Sequence, residues 1–172
     1  MAYDQYLNDY YPRELDVDGA KRFSGYATLT PTADQFAQML LVVPALAGKT
    51  VIVEEIRAFS TAGGAVKIGL YSTALTDLEA DVAANRGATD SRIGTTEGSC
   101  LVGAKDNAAQ LVFTHGVQMG TLGAEGAWEY LGGGHVMEVA KVAGAIMQLV
   151  VEGAASMDLT VSFVWREIDN TK

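Results

Sequence analysis

The chain has a single cysteine among its 172 residues. No internal disulfide can form, Cys100 is read as a buried thiol, and the chain is compatible with a reducing compartment. Basic residues are outnumbered, 12 against 21 acidic, for a formal charge of −9. No basic stripe offsets that balance, so broad binding to phosphate backbones is not expected. Long apolar runs are missing too: the longest, Met39 to Ala47, falls well short of the about 18 residues that span a bilayer. The N-terminal MAYDQYLNDYYPRELD has neither a basic nor an apolar region of the kind a signal peptide needs.

Catalytic patterns are equally sparse. No G-x-S-x-G elbow occurs. Asp16-Val17-Asp18-Gly19 opens like a calcium loop, but the place of its closing glutamate falls on Ala27, so it reads as a turn. The two histidines, His115 and His135, stand in separate expected strands. With Glu129 or Glu138 they would make a looser cluster than a cupin-like metal site uses, and surface or loop histidines are the expectation. Glu54 and Glu55 are adjacent in an expected strand, where neighbours point to opposite faces and cannot share one substrate atom. No catalytic residue, metal or cofactor is assigned.

Gly48-Lys49-Thr50 has the ending of a nucleotide-binding P-loop, G-x-x-x-x-G-K-[ST]. The first glycine of that pattern is Val43 here, and Pro44 removes an amide from the would-be cradle. Thr50 leads straight into VIVEE, a strand pattern, with no helix N-terminus for an anion. The tripeptide is read as part of a connection from Met39–Val43 to Val51–Phe59.

What is present is a glycine-rich (19), proline-poor (3) chain, 49% hydrophobic, that folds through turns between short strands. Strands are expected over Gln35–Val43, Val51–Phe59, Ala65–Ser72, Ala109–Gln118, Trp128–Leu131, His135–Val142, Ile146–Glu152 and Leu159–Ile168. The last is the clearest, with Leu159, Val161, Phe163 and Trp165 on one face. In Val51–Phe59, alternation puts Ile52, Glu54, Ile56 and Ala58 on one face and Val51, Val53, Glu55, Arg57 and Phe59 on the other. Thr61-Ala62-Gly63-Gly64 reads as a hairpin turn into Ala65–Ser72. Ala74–Arg86 is the one expected helix, and Gly87–Ser99 an exposed loop. Together these predict an all-β, antiparallel sandwich, of jelly-roll type, over residues 23–172.

Residues 1–22 differ in composition. Tyr3, Tyr6, Tyr10 and Tyr11 lie among Asp4, Asp9, Glu14, Asp16 and Asp18. Two readings stay open: an N-terminal arm whose tyrosines anchor it to a partner surface, or a segment packed on its own domain. Trp128 and Tyr130 alternate around Glu129. They fit a sugar-binding platform or a sheet core, and core is the expectation. Trp165 is expected in the core.

The run Val43-Pro44-Ala45-Leu46-Ala47-Gly48-Lys49-Thr50, leading into VIVEEIRAFS and then KIGLYS, resembles a pattern found in small structural proteins of tailed-phage particles. There a P-A-x-x-G-K turn enters an apolar strand with a charged pair, and a hairpin returns with an aromatic near its end. The likeness covers Val43 to Ser72. It implies a non-enzymatic capsid decoration (cement) protein made in the host cytoplasm and carried on the capsid surface, or another virion component such as a fibre or tail module. The implied partners are a major capsid protein or other virion proteins and further copies of the chain, as in a trimer, with no nucleic acid or membrane involved. A carbohydrate-binding module is the alternative.

Overall fold

Alternating apolar residues and frequent glycine turns put the described residues of this chain into strands. The computed structural model describes residues 21–43, 49–72, 86–88, 100–124, 126, 129–132, 137–140 and 147–169. These form eleven strands: β1 Lys21–Leu29, β2 Phe36–Val43, β3 Lys49–Phe59, β4 Gly64–Tyr71, β5 Arg86–Ala88, β6 Leu101–Asn107, β7 His115–Leu122, β8 Glu129–Gly132, β9 Met137–Ala140, β10 Met147–Ala155 and β11 Leu159–Asp169. Every pairing among them is antiparallel. One sheet has the order β5-β1-β11-β3-β8, with β9 also on β3; the other runs β6-β2-β10-β4-β7.

The inner faces of the two sheets share one core. From the first sheet come Phe23, Ala27, Val51, Val53, Ile56, Ala58, Leu159, Val161, Phe163 and Trp165; from the second come Met39, Leu41, Val66, Ile68, Val102, Leu149 and Val151. Phe23 and Trp165 stack with centroids 5.9 Å apart. Each fully buried large side chain contributes on the order of 1.5–3 kcal/mol as an upper bound. At the rim of this core Glu167 is buried but satisfied: its Oε1 accepts from the Trp165 indole Nε1 and the Cys100 amide, both at 3.1 Å. Cys100 is itself fully buried.

Successive strands change sheet at almost every connection, which corrects the hairpin expected at Thr61–Gly64. β3 lies in the first sheet and β4 in the second, so the turn is an arch between layers. Ser60 and Asp158 build it. The Ser60 hydroxyl accepts from the amides of Ala62 and Gly63 at 3.2 and 3.1 Å and donates to Asp158 at 3.2 Å. Asp158 also accepts from the amides of Thr61 and Ala62 at 3.0 and 3.1 Å. Gly63 has φ +67°, and a Cβ there would meet the Ala124 amide nitrogen at 2.7 Å, so only glycine fits. Turn residues are the same for an arch and a hairpin; the paired strand decides which one forms.

The second sheet is covered on its outer face as well. Gln38, Leu40, Gln148, Val150 and Glu152 point away from the core and are still fully buried. The cover is the segment 108–114, which connects β6 to β7, the two opposite edges of that sheet. Crossing four strand intervals takes about 19 Å, and seven extended residues reach roughly 23 Å. The strap therefore runs nearly straight over β2, β10 and β4. Leu111 packs on Leu40 and Val150, with Phe113, Val42 and Tyr71 around them. The expected strand Ala109–Gln118 is thus a strap followed by β7, which begins at His115.

Other expectations shift locally. β1 starts at Lys21, so a segment of 1–22 would overlap the sheet by two residues. Gly87 and Ala88, expected in a loop, belong to β5 and pair with Ser24 and Phe23. Residues 74–85 of the expected helix lie outside the described residues, and Arg86 opens β5. β6 was not anticipated from its sequence, LVGAKDN.

Candidate interaction surface

The outer face of the first sheet carries polar and aromatic side chains in register. β1 alternates Phe23, Gly25 and Ala27 inward with Ser24, Tyr26 and Thr28 outward, and β11 alternates its core residues with Thr160, Ser162, Val164 and Arg166. Pairing then lines up one row across four strands: Tyr26 opposite Ser162, Ser162 opposite Arg57, Arg57 opposite Tyr130. Below it Thr28 faces Thr160, with hydroxyl oxygens 3.0 Å apart.

A bulge in β3 sets the charges of this face. Val164 pairs with Glu55 and Trp165 with Val53, leaving Glu54 as the extra residue. The alternation changes phase there. Val51, Val53, Ile56 and Ala58 all turn into the core, which corrects the simple division of this strand into two faces. Glu54 and Glu55 consequently both bond to outer-face arginines rather than pointing apart. Glu54 bridges two strands, with Arg22 Nε at 2.8 Å and Arg166 Nη2 at 2.9 Å. Arg22 and Arg166 stand directly opposite each other, a repulsive placement that the shared carboxylate relieves. Glu55 pairs with Arg57.

Arg57 also donates to the Tyr130 hydroxyl, and its guanidinium carbon sits 4.5 Å over the centroid of that ring. This cation–π contact explains why Tyr130 is not in the core as expected: it is 64% exposed, and Tyr26 at the other end of the row is 51% exposed. Trp165 is buried as expected. The face therefore presents two accessible rings with a pre-oriented guanidinium and a hydroxyl between them. Arg22, Arg57 and Arg166 on this face are ion-paired with Glu54 and Glu55.

Beyond this face, the second sheet holds a polar row, Lys105, Gln38, Glu152 and Lys67, in register across four strands. Gln38 and Glu152, at its centre, are buried. Glu152 accepts from Gln38 Nε2 and from the Leu111 amide of the strap, both at 2.9 Å. Burial pushes its carboxyl above the ordinary value, against the hydrogen bonds from Leu111 and Gln38 and the charge of Lys67. Lys67 Nζ donates to Gln110 of the strap at 3.0 Å. These groups fasten the strap.

The tyrosines assigned to partner binding from the sequence, Tyr3, Tyr6, Tyr10 and Tyr11, lie outside the described residues, as do Trp128, His135 and the turn at Asp16–Gly19. His115 opens the edge strand β7. Glu129 ties a loop, accepting from the Gly123 amide at 2.8 Å. Lys49 and Thr50 are the first residues of β3, so the strand begins within the GKT tripeptide. Among the described residues no three His, Cys, Asp or Glu side chains gather as metal ligands would. Tyr26 and Arg57 were missed in the sequence. The available signal was the polar parity of SGYAT, where small residues mark the buried side.

No protein-family model, no curated protein and no solved structure matches this chain.

Proposed function

We propose that the chain is a non-enzymatic structural component of a virion, a capsid decoration protein built on a jelly-roll sandwich. One observation carries the reading. Leaving aside β5, β6 and β9, the strand orders are β1-β11-β3-β8 and β2-β10-β4-β7, the interleaving that two Greek keys generate when every connection but one, here β4 to β7, crosses between layers. Eight strands in two such sheets are the frame of viral capsid and lectin domains. The step from frame to role is analogy, joined to the resemblance in Val43–Ser72. The arched turn at Thr61–Gly63 departs from the hairpin of that resemblance, so the strand order bears more of the weight.

In this role the two-sheet body acts mechanically. Many copies on a regular shell each make a modest contact, and symmetry multiplies the avidity without new chemistry. The tyrosine-bearing arm would reach neighbouring subunits. Immuno-electron microscopy of particles from the source organism, using antibodies to the intact chain, tests the proposal. Regularly spaced label on particle shells is the expected result; recovery of the chain only from particle-free fractions would overturn it. A variant lacking residues 1–20, which leaves β1 whole, is expected to fold and to lose the shell.

A further inference from the structure

The two exposed rings and the groups between them form a built platform that shell decoration does not require. Tyr26 and Tyr130 sit at the ends of one row, three strand intervals apart, or about 14 Å. Ser162 and Arg57 fill the interval. Arg57 is fixed on two sides, by Glu55 and by the Tyr130 hydroxyl and ring, so its donor directions are set before any ligand arrives. The arrangement alternates ring, hydroxyl, guanidinium, ring along a straight, gently twisted surface.

We propose that this row binds an uncharged oligosaccharide lying across β1, β11, β3 and β8. Three features select that chemistry. Separated rings with polar groups between them match a ligand whose apolar C–H faces alternate with hydroxyl edges; a continuous apolar protein patch would leave Ser162 and Arg57 unmatched. The ion pairs named on this face set three arginines against two glutamates, Glu54 with Arg22 and Arg166, Glu55 with Arg57, which leaves a single net positive charge and so offers little attraction to nucleic acid or to a strongly charged partner. The length between rings calls for several sugar units, because one monosaccharide cannot touch both. Tyr130 and Tyr26 stack on the outer units, Arg57 and Ser162 hydrogen-bond the hydroxyls between them, and the paired Thr28 and Thr160 hydroxyls widen the polar margin. This site stands apart from the virion reading and would serve a free module equally well.

The test uses the full chain and three uncharged hexasaccharides, a β-glucan, a mannan and a chitin fragment, titrated by calorimetry. Saturable binding of at least one is expected. Tyr26→Ala and Tyr130→Ala should each weaken it about tenfold or more, while Tyr26→Phe stays close to the parent, since stacking needs the ring, and Tyr130→Phe, which keeps the ring but loses the hydroxyl that orients Arg57, falls between. Met119→Ala, an exposed residue of the other sheet, should change nothing. Circular dichroism of every variant confirms that the fold persists. Absence of binding to all three sugars overturns the proposal, as does binding indifferent to both alanine variants. A native mass of two or more copies that falls to one in Tyr130→Ala would overturn it in favour of a second copy on this face.

Discussion

Two carboxylates respond to pH in opposite senses. Burial acts to raise Asp158, but hydrogen bonds from Thr61, Ala62 and Ser60 outweigh it and hold the carboxyl below its ordinary value of 3.8. Its contribution to stability is therefore present above 3.8 and lost as pH falls through the lower folded value. Asp158→Ala should cost about 1–2 kcal/mol at neutral pH by freeing the arch amides, and the gap to the parent should close in acid, as read from urea unfolding. Glu152 has the reverse sign. Its folded value lies above the ordinary 4.5, so its contribution is complete below 4.5 and declines as pH rises through the folded value. Glu152→Gln removes that decline. As pH rises above 4.5 the parent should lose stability relative to the glutamine variant, and a constant difference would contradict the assignment. Neither carboxylate could be singled out in the sequence, because the groups that set its state come from strands or turns distant along the chain.

The strands differ in how plainly their residues announce them. β11 is legible because Leu159, Val161, Phe163 and Trp165 keep one parity throughout and only one face is buried. β2 carries a fuller message than a half-buried strand: in AQMLLV both parities are apolar or amide, the pattern of a strand covered on two sides, and the strap is that second cover. β3 misleads, since the bulge at Glu54 shifts its phase and composition gives no warning of a bulge. The arch reads as a hairpin for the same reason. Gly63 supplies the backbone either turn wants, while the destination of β4 is fixed by β10 and β7, far along the chain. The aromatic row was legible only in part: Tyr130 stood out as an aromatic, but its exposure depends on Arg57 across the strand pair. Two substitutions probe these devices. Leu111→Ala should destabilise by about 2–4 kcal/mol and speed hydrogen exchange at the Leu111 and Thr114 amides before the first sheet is affected. Gly63→Ala forces a side chain into left-handed backbone against the Ala124 amide and should cost about 1–3 kcal/mol, measured by thermal unfolding.

At the scale of the molecule, the order of strands along the chain matters as much as their order in space. β11 is the last of the described strands and lies between β1 and β3, pairing along nearly the full length of both. A chain ending at Asp158 should show no cooperative unfolding transition, and a sharp one would be evidence against the central role of β11. Contacts of such long sequence separation also predict folding on the slow, millisecond-to-second side for a domain of this size. There is a consequence for biosynthesis. While the chain is still on the ribosome, β1 and β3 have been made but have no common neighbour, so the first layer stays unzipped until β11 clears the exit tunnel. A translation stall anywhere before Leu159 would release a polypeptide with its apolar strands bare, a natural client for chaperones and proteases.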